Sequence, residues 1–575
     1  MNLGRLRFVL SVVCLISGAV LGWGTWYYTN DSVSYLDIAR YVSAHNWSAA
    51  LNPFWGLSYP WLLGLFFSIC GHGLQSEINA VRLLSIVIYA AALFSFNFLL
   101  SSILQTLKHP ENEDPPLRLM LSDAAICVVG YAVFLWTALC VSYVSRVSPD
   151  MLVAAIFFAA IALLLRIRTT TKPLLLCILF GLLLAFGYYT KAIFVPLASV
   201  MFPAMFLVLR GSGIHTSRTR VTCFAVSFAV LVVAIAPYFL MVSSKRGGLP
   251  SAGALNHEWH VDGLWKWRHW QGGDDHFGHP LHTTRQISTD IRAYEFYGPV
   301  PGTFAPWYDP SYWFAGFKDT FSISNQMRAL LHNTRELLRY LSTQAAAWGF
   351  LACFAGLVWT GQRRSEIWKD WEMLWPLLAC SATGTVIYLA VHVEPRYLQA
   401  MLCGIVLSMI APLRAAPGAT VKRASIIVIA VAASAVAISL AITIPSRTAG
   451  FSFANPLASD ADWKLAGSLG EDGVMPGAKV AIIGNGMRCL WAYLGRVTII
   501  AEVPYGYDED QRKGDSELFW RSSPERQQAL LARFKAVGVT TVVADHLPPG
   551  VDTTAWISVP GTQYFYRKLD AVAAH

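Results

Sequence analysis

Apolar runs of roughly bilayer-crossing length recur along this chain, separated mostly by short polar connections. A helix of about 18–20 apolar residues is enough to cross a hydrocarbon core. By that measure the pattern predicts spans near 8–28, 80–105, 121–142, 149–167, 173–190, 192–209, 222–243, 346–361, 372–391, 397–413 and 424–443. That is about eleven helices. The stretch SYPWLLGLFFSICG (58–71) is apolar but short, and reads as an interfacial or re-entrant helix. Only 14% of the 575 residues are charged, against about a quarter in soluble proteins. The chain is therefore expected to be a polytopic α-helical membrane protein.

The first run follows Arg5 and Arg7, as a signal peptide would. It is too long for an ordinary signal core, and Trp23, Trp26, Tyr27 and Tyr28 replace a small-residue cleavage site. It reads as a retained helix with an aromatic belt.

Charge sets the orientation. With a cytoplasmic N-terminus, Arg and Lys gather in the inner loops LKHPENEDPPLR, RIRTTTK, RGSGIHTSRTR, GQRRSEIWKDW and LRAAPGATVKR. The outer side then holds segment 29–79, a loop over 244–345 and the tail. The expected organisation is a transmembrane domain over 1–444 and an extracytoplasmic domain over 445–575, in a multi-pass plasma (inner) membrane protein. The net charge of +9 follows the loops and implies no nucleic-acid partner.

The tail changes in character. KVAIIGN, RVTIIAEVP and VTTVVAD read as buried strands, and MRCLWAYLG and SPERQQALLARFKAVG as helices. This alternation predicts a small C-terminal α/β domain. Its GNG at 484–486 lacks the Gly-x-Gly-x-x-Gly of a dinucleotide site. Nine of ten cysteines lie in apolar segments and none forms a CxxC pair, so neither a disulfide framework nor a zinc site is expected. Six histidines between 257 and 282 match no metal-ligand spacing. The Trp- and His-rich loop around them is expected to form short helices and turns over the membrane surface.

Unusual polar residues stand at helix ends: Asp31, Asp37, Arg146, Asp150, Lys191, His392, Glu394 and Arg396. On the topology above all of them are outside. Charges at membrane depth are costly and mark function by default. A single outward-facing cavity is the expectation.

The order of these pieces resembles the GT-C superfamily of membrane glycosyltransferases, among them the protein O-mannosyltransferases and the lipid A aminoarabinose transferase. The likeness covers about the first 410 residues and rests on five motifs: NDSVSYLDIARYV, SYPWLLGLFFSICGHGLQSEINAVRLLS, VSPDMLVAAIFFAAIALLL, GLLLAFGYYTKAIFVPLA and VEPRYLQAMLCGIVL. There are departures. Ser32 replaces the Glu of many relatives, NPFWGLSYP lacks a Lys-Pro-Pro, and no Trp-Trp-Asp motif occurs.

The resemblance implies transfer of a sugar from a polyprenyl-phosphate donor, with inversion, to a lipid, protein or polysaccharide acceptor outside the membrane. Such chemistry needs a base, cations on the leaving phosphate and a groove for the lipid. Asp31 is the candidate base, with an N-cap role for the following helix as the structural alternative. Asp150 is the second candidate acid, or a first-turn residue favoured by the helix dipole. Lys191, Arg396, Tyr397 and Arg146 are candidate contacts to the donor phosphate. Against these stand snorkelling of Lys191 and pairing of Arg396 with Glu394. Tyr35, Trp55, Tyr59, His392 and Glu394 are candidates for a sugar or acceptor pocket, and a membrane belt explains the aromatic three as well. Asp37 reads as solvated or paired with Arg40 or Tyr41. No cofactor is required, and room is left for a divalent metal. The rival functions are a transporter or flippase for lipid-linked saccharides and a non-catalytic membrane scaffold. Mid-span charges and internal repeats, the marks of a transporter, are absent from the sequence.

Overall fold

The computed structural model describes residues 2–108, 118–246, 281–282, 284–296, 298, 301–312, 321–360, 367–415, 421–448, 450–505, 515–551 and 554–569. The chain opens with α1 (Leu3–Gly24), α2 (Asn30–Ser43), the single turn α3 (Trp47–Ala50), α4 (Ser58–Cys70) and α5 (Leu74–Leu107). α6 (Asp123–Trp136) continues as a π-helical turn, Thr137–Ser142. There follow α7 (Asp150–Ile167), α8 (Leu174–Thr190), α9 (Phe194–Gly211) and α10 (Ser217–Arg246). Within the loop predicted over 244–345 lie α11 (Ala305–Tyr308) and α12 (Ile323–Ser342), and α13 (Ala345–Thr360), α14 (Ile367–Trp371), α15 (Trp375–Val391), α16 (Gln399–Ile410) and α17 (Val421–Arg447) follow. The tail adds α18 (Ala461–Glu471), α19 (Leu490–Leu494), α20 (Asp515–Arg521) and α21 (Pro524–Ala536).

Each predicted span falls on a helix. Among the described residues, eight helices are long and apolar enough to cross a membrane, and the bent pair α12–α13 makes a ninth if counted as one. α4, α8 and the segment Pro395–Ile410 are apolar but shorter. The protein is a polytopic helical membrane protein with a small β-containing C-terminal region.

Two compact units divide the chain. The first comprises Met1–Trp26, Arg82–Phe239 and Ala329–Phe451, and holds the short antiparallel pair β1 (Arg118–Leu119) and β4 (Arg414–Ala415). Its helices approach closely where small residues meet, as is usual for helices packed in a bilayer. A Cβ on Gly349 of α13 would collide with the Ala435 methyl of α17.

The second unit comprises Tyr27–Val81, Leu240–Arg328 and Ser452–His575. Its centre is a parallel trio formed by β6 (Thr498–Pro504), β5 (Lys479–Gly484) and β7 (Thr541–Ala544), in that spatial order. These strands read as continuous apolar runs because both faces are covered. Ala481, Ile483, Val503 and Val542 pack with Phe519, Leu530 and Phe534 of α20 and α21. β9 (Phe565–Lys568) and β8 (Ile557–Ser558) extend one side in antiparallel fashion. The opposite side departs from expectation. Residues of the loop over 244–345 do not merely lie in turns: β2 (Arg285–Ser288) and β3 (Ala293–Glu295) join the sheet, Tyr294 pairing with Glu502. An uncovered β6 would present a row of unpaired backbone groups, and these strands satisfy them.

Candidate functional site

The first unit gathers charges from three chain breaks. At the first, α6 ends in its π turn, and Tyr143 closes it with a φ of +74°, a conformation uncommon for any side chain but glycine. The chain then passes Arg146 and enters α7 at Asp150, whose carboxylate lies in the first turn, where the helix dipole favours an anion. At the second, Lys191 follows α8 in an extended conformation and α9 begins at Phe194. Gly187 permits this tight reversal, since a Cβ there would strike the Phe194 ring. At the third, residues 392–394 leave α15, and a 3-10 turn, Pro395–Leu398, carries Arg396 and Tyr397 into α16.

These three breaks meet. The Lys191 Nζ donates to Asp150 Oδ1 at 2.9 Å, and Ser148 Oγ donates to Asp150 Oδ2 at 2.9 Å. Arg396 Nε stands 3.6 Å from Asp150 Oδ2 and 2.7 Å from Glu394 Oε2. Arg146 and His392 also reach Glu394, at 4.0 and 3.7 Å. Lys191 Nζ lies 3.3 Å from the centre of the Tyr397 ring, which stacks on Tyr388 at 5.0 Å. Asp150 and Arg396 are buried, and buried charges persist only when paired. Burial would raise the Glu394 carboxyl, but its His392 bond and the charges of Arg396, His392 and Arg146 hold it at about 2. Arg146, Lys191 and Arg396 set three cations against the two carboxylates Asp150 and Glu394, an excess suited to an anion.

Asp150, Lys191, Arg396, Tyr397, Arg146, His392 and Glu394, all singled out from the sequence, thus stand in one cluster. Tyr388 was not foreseen. Its signal was its place in the last turn of the apolar helix α15, four residues before His392.

The remaining candidates lie in the second unit. Asp31 occupies the first turn of α2, half-buried. It is not the cap: Thr29 fills that position, its N–H bonded to Ser32 Oγ at 2.9 Å. Ser32 therefore closes a capping box. Tyr35, Trp55 and Tyr59 are buried and meet edge to face, with ring centres 5.3 and 5.6 Å apart. Such buried packing is not that of a lipid-facing belt.

Asp37 corrects the reading of a solvated residue. It is buried and accepts hydrogen bonds from the Thr303 N–H at 2.7 Å and the Thr303 hydroxyl at 2.8 Å. Burial outweighs these bonds and lifts its carboxyl to about 6. Gly302 makes the approach possible, since a Cβ there would sit 2.9 Å from Asp37 Oδ2 and its φ is +70°. Arg40 instead pairs with Glu77 at 2.7 Å, which also accepts from the Tyr493 hydroxyl and Arg496.

Among the described residues no group of three or more His, Cys, Asp or Glu side chains is placed to hold a metal. Of the six loop histidines only His282 is described, stacked on Tyr312, and the other five lie outside the described residues.

No family model and no curated protein matches the chain. It is similar to solved structures at low identity. ArnT from Cupriavidus metallidurans bound to undecaprenyl phosphate matches at 12% identity over 97% of each chain, with a TM-score of 0.41. The oligosaccharyltransferase AglB from Archaeoglobus fulgidus, in complex with an inhibitory peptide and a dolichol-phosphate, matches at 12% identity. That match covers 94% of this chain and 69% of AglB, with a TM-score of 0.43.

Proposed function

We propose that this protein is a glycosyltransferase that moves a sugar from a polyprenyl-phosphate donor to an acceptor on the outer face of the membrane. One observation carries the reading. Lys191, Arg396 and Arg146 converge at helix ends beside Asp150 and Glu394, where a phosphate leaving with its lipid would be stabilised. Family-like motifs in family-like order support it independently.

In this reading Lys191 and Arg396 bind the donor phosphate, and Asp150 holds both cations in position. Arg396 supplies a planar fork and Lys191 a point charge, so the two share one phosphate without competing for the same geometry. Asp31 takes the proton of the acceptor hydroxyl as its oxygen attacks the anomeric carbon. The carbon–oxygen bond to phosphate breaks, and the lipid phosphate departs with the electron pair. Tyr35, Trp55 and Tyr59 form the aromatic wall of the sugar pocket. The acceptor is a lipid, protein or polysaccharide.

The test compares envelope glycans, by mass spectrometry, from a deletion strain complemented with wild-type, Asp31→Asn or Arg396→Gln protein. The reading expects one glycan modification that wild-type protein restores and both variants fail to restore, at equal membrane levels of all three. Restoration by both variants would overturn transfer and favour a scaffold.

A further inference from the structure

Helix α12 has a division of surface that the transferase reading does not use. Successive residues turn by about 100° around a helix, and three sectors result. Ala329, Asn333 and Tyr340 form the first, facing the protein. Asn333 Nδ2 donates to the Leu389 carbonyl at 3.0 Å, and the Tyr340 hydroxyl reaches the Cys140 carbonyl at 3.4 Å. Ile323, Met327, Leu331 and Leu338 form the second, and each is at least 49% exposed. Arg328, His332, Arg335 and Arg339 form the third, all exposed and directly beside the apolar sector. Arg339 has a weak partner in Glu336, 3.9 Å away on the same helix.

A water-exposed apolar stripe of this length is unfavourable, by about 25 cal/mol for each Å² left uncovered. The neighbouring helix names what covers it. α12 bends by 89° into α13, an apolar helix joined to it by a break of only two residues. A helix at a right angle to an apolar, bilayer-embedded segment runs along the bilayer surface. There one face meets acyl chains and the next meets headgroups. Basic residues flanking the apolar face are the arrangement that favours anionic lipid.

We propose that α12 is an in-plane anchor that binds anionic phospholipid headgroups through Arg328, Arg335 and Arg339, with Ile323, Met327, Leu331 and Leu338 seated among the acyl chains. The arginines are separated by seven and four residues, so they address neighbouring headgroups along the helix rather than one phosphate. His332 lies in the same sector.

The test uses the full-length protein purified in detergent and incubated with phosphatidylglycerol or phosphatidylcholine. Retained lipid is read by native mass spectrometry. Wild-type protein should retain phosphatidylglycerol preferentially, and less so at high ionic strength. R328Q/R335Q/R339Q should cut that retention roughly tenfold or more, while R328K/R335K/R339K should keep it. Phosphatidylcholine retention should be equal in all three. Equal retention of both lipids by the wild type, or full retention of phosphatidylglycerol by the glutamine variant, would overturn the proposal. So would a fall in oligomeric mass for the glutamine variant, which would make this face a contact between copies. If the glutamine variant does not fold, the salt dependence of the wild type decides: retention insensitive to ionic strength refutes headgroup binding.

Discussion

Lys191 and Asp150, 41 residues apart in sequence and on different helices, form a 2.9 Å ion pair in which the carboxylate is buried. Each charge offsets part of the cost of holding the other out of water. Replacing Lys191 with Met leaves Asp150 with Arg396 as its remaining close cation. Breaking a buried pair from one side costs about 3–5 kcal/mol. The double variant D150N/K191M should lose less than the sum of the singles by at least about 1 kcal/mol. Thermal unfolding of the purified variants measures both, and strict additivity would mean that the pair is not coupled.

Asp31→Asn tests the base. Thr29 and Ser32, not Asp31, close the start of α2. The change therefore spares the cap of α2 and weakens the favourable interaction of a first-turn carboxylate with the helix dipole, worth about 0.3–1 kcal/mol. Loss of a general base typically slows a reaction by about 10²–10⁴-fold. A rate assay with a lipid-phosphate sugar donor should show that fall with the unfolding midpoint nearly unchanged. A variant as fast as wild type would remove Asp31 from the chemistry.

Gly302→Ala should loosen the loop segment that carries Thr303. The added methyl meets Asp37 Oδ2 and the Tyr308 ring at 2.9 Å and sits on a φ of +70°. Strain of this kind costs about 1–3 kcal/mol. Hydrogen exchange at residues 302–308 should accelerate, and unchanged protection there would show that the contact with Asp37 is dispensable.

Burial also gives Asp37 a definite pH signature. Its carboxyl is raised from 3.8 to about 6, so the folded protein favours the neutral form more than the unfolded chain does. The resulting stability is present below about pH 4 and lost as pH rises through about 6, a swing of order 3 kcal/mol. Asp462, buried under the Tyr28 and Tyr564 hydroxyls, is raised to about 6 by the same cause and acts in the same window. Glu394 runs the other way: held at about 2, it contributes above its ordinary 4.5 and is lost only as pH falls toward 2. Unfolding midpoints of wild type and Asp37→Asn between pH 4 and 7 isolate the Asp37 contribution. The wild type should fall relative to the variant as pH rises, and parallel curves would contradict the assignment.

Much of this protein was determined by its sequence alone. The bilayer admits one solution for a long apolar run, a helix with its backbone bonds satisfied internally, so every predicted span lies on a helix. The apolar runs of the tail likewise identify buried parallel strands, because a sheet covered on both faces leaves no position for alternation. Charges at helix ends could be nominated for the same reason: apolar surroundings make each of them expensive. What the sequence left open was who meets whom. The Pro395–Leu398 turn and the Lys191 reversal each look like a short break between helices, and only packing brings both onto Asp150. Asp37 read as solvated or paired with Arg40 or Tyr41 because its partner Thr303 is 266 residues away, beyond any local pattern. The edge strands β2 and β3 escaped notice because they are short, and pairing with β6 rather than their own propensity makes them strands. Local periodicity records what each segment must bury, whereas partners between distant segments are settled by shape and charge once the segments pack.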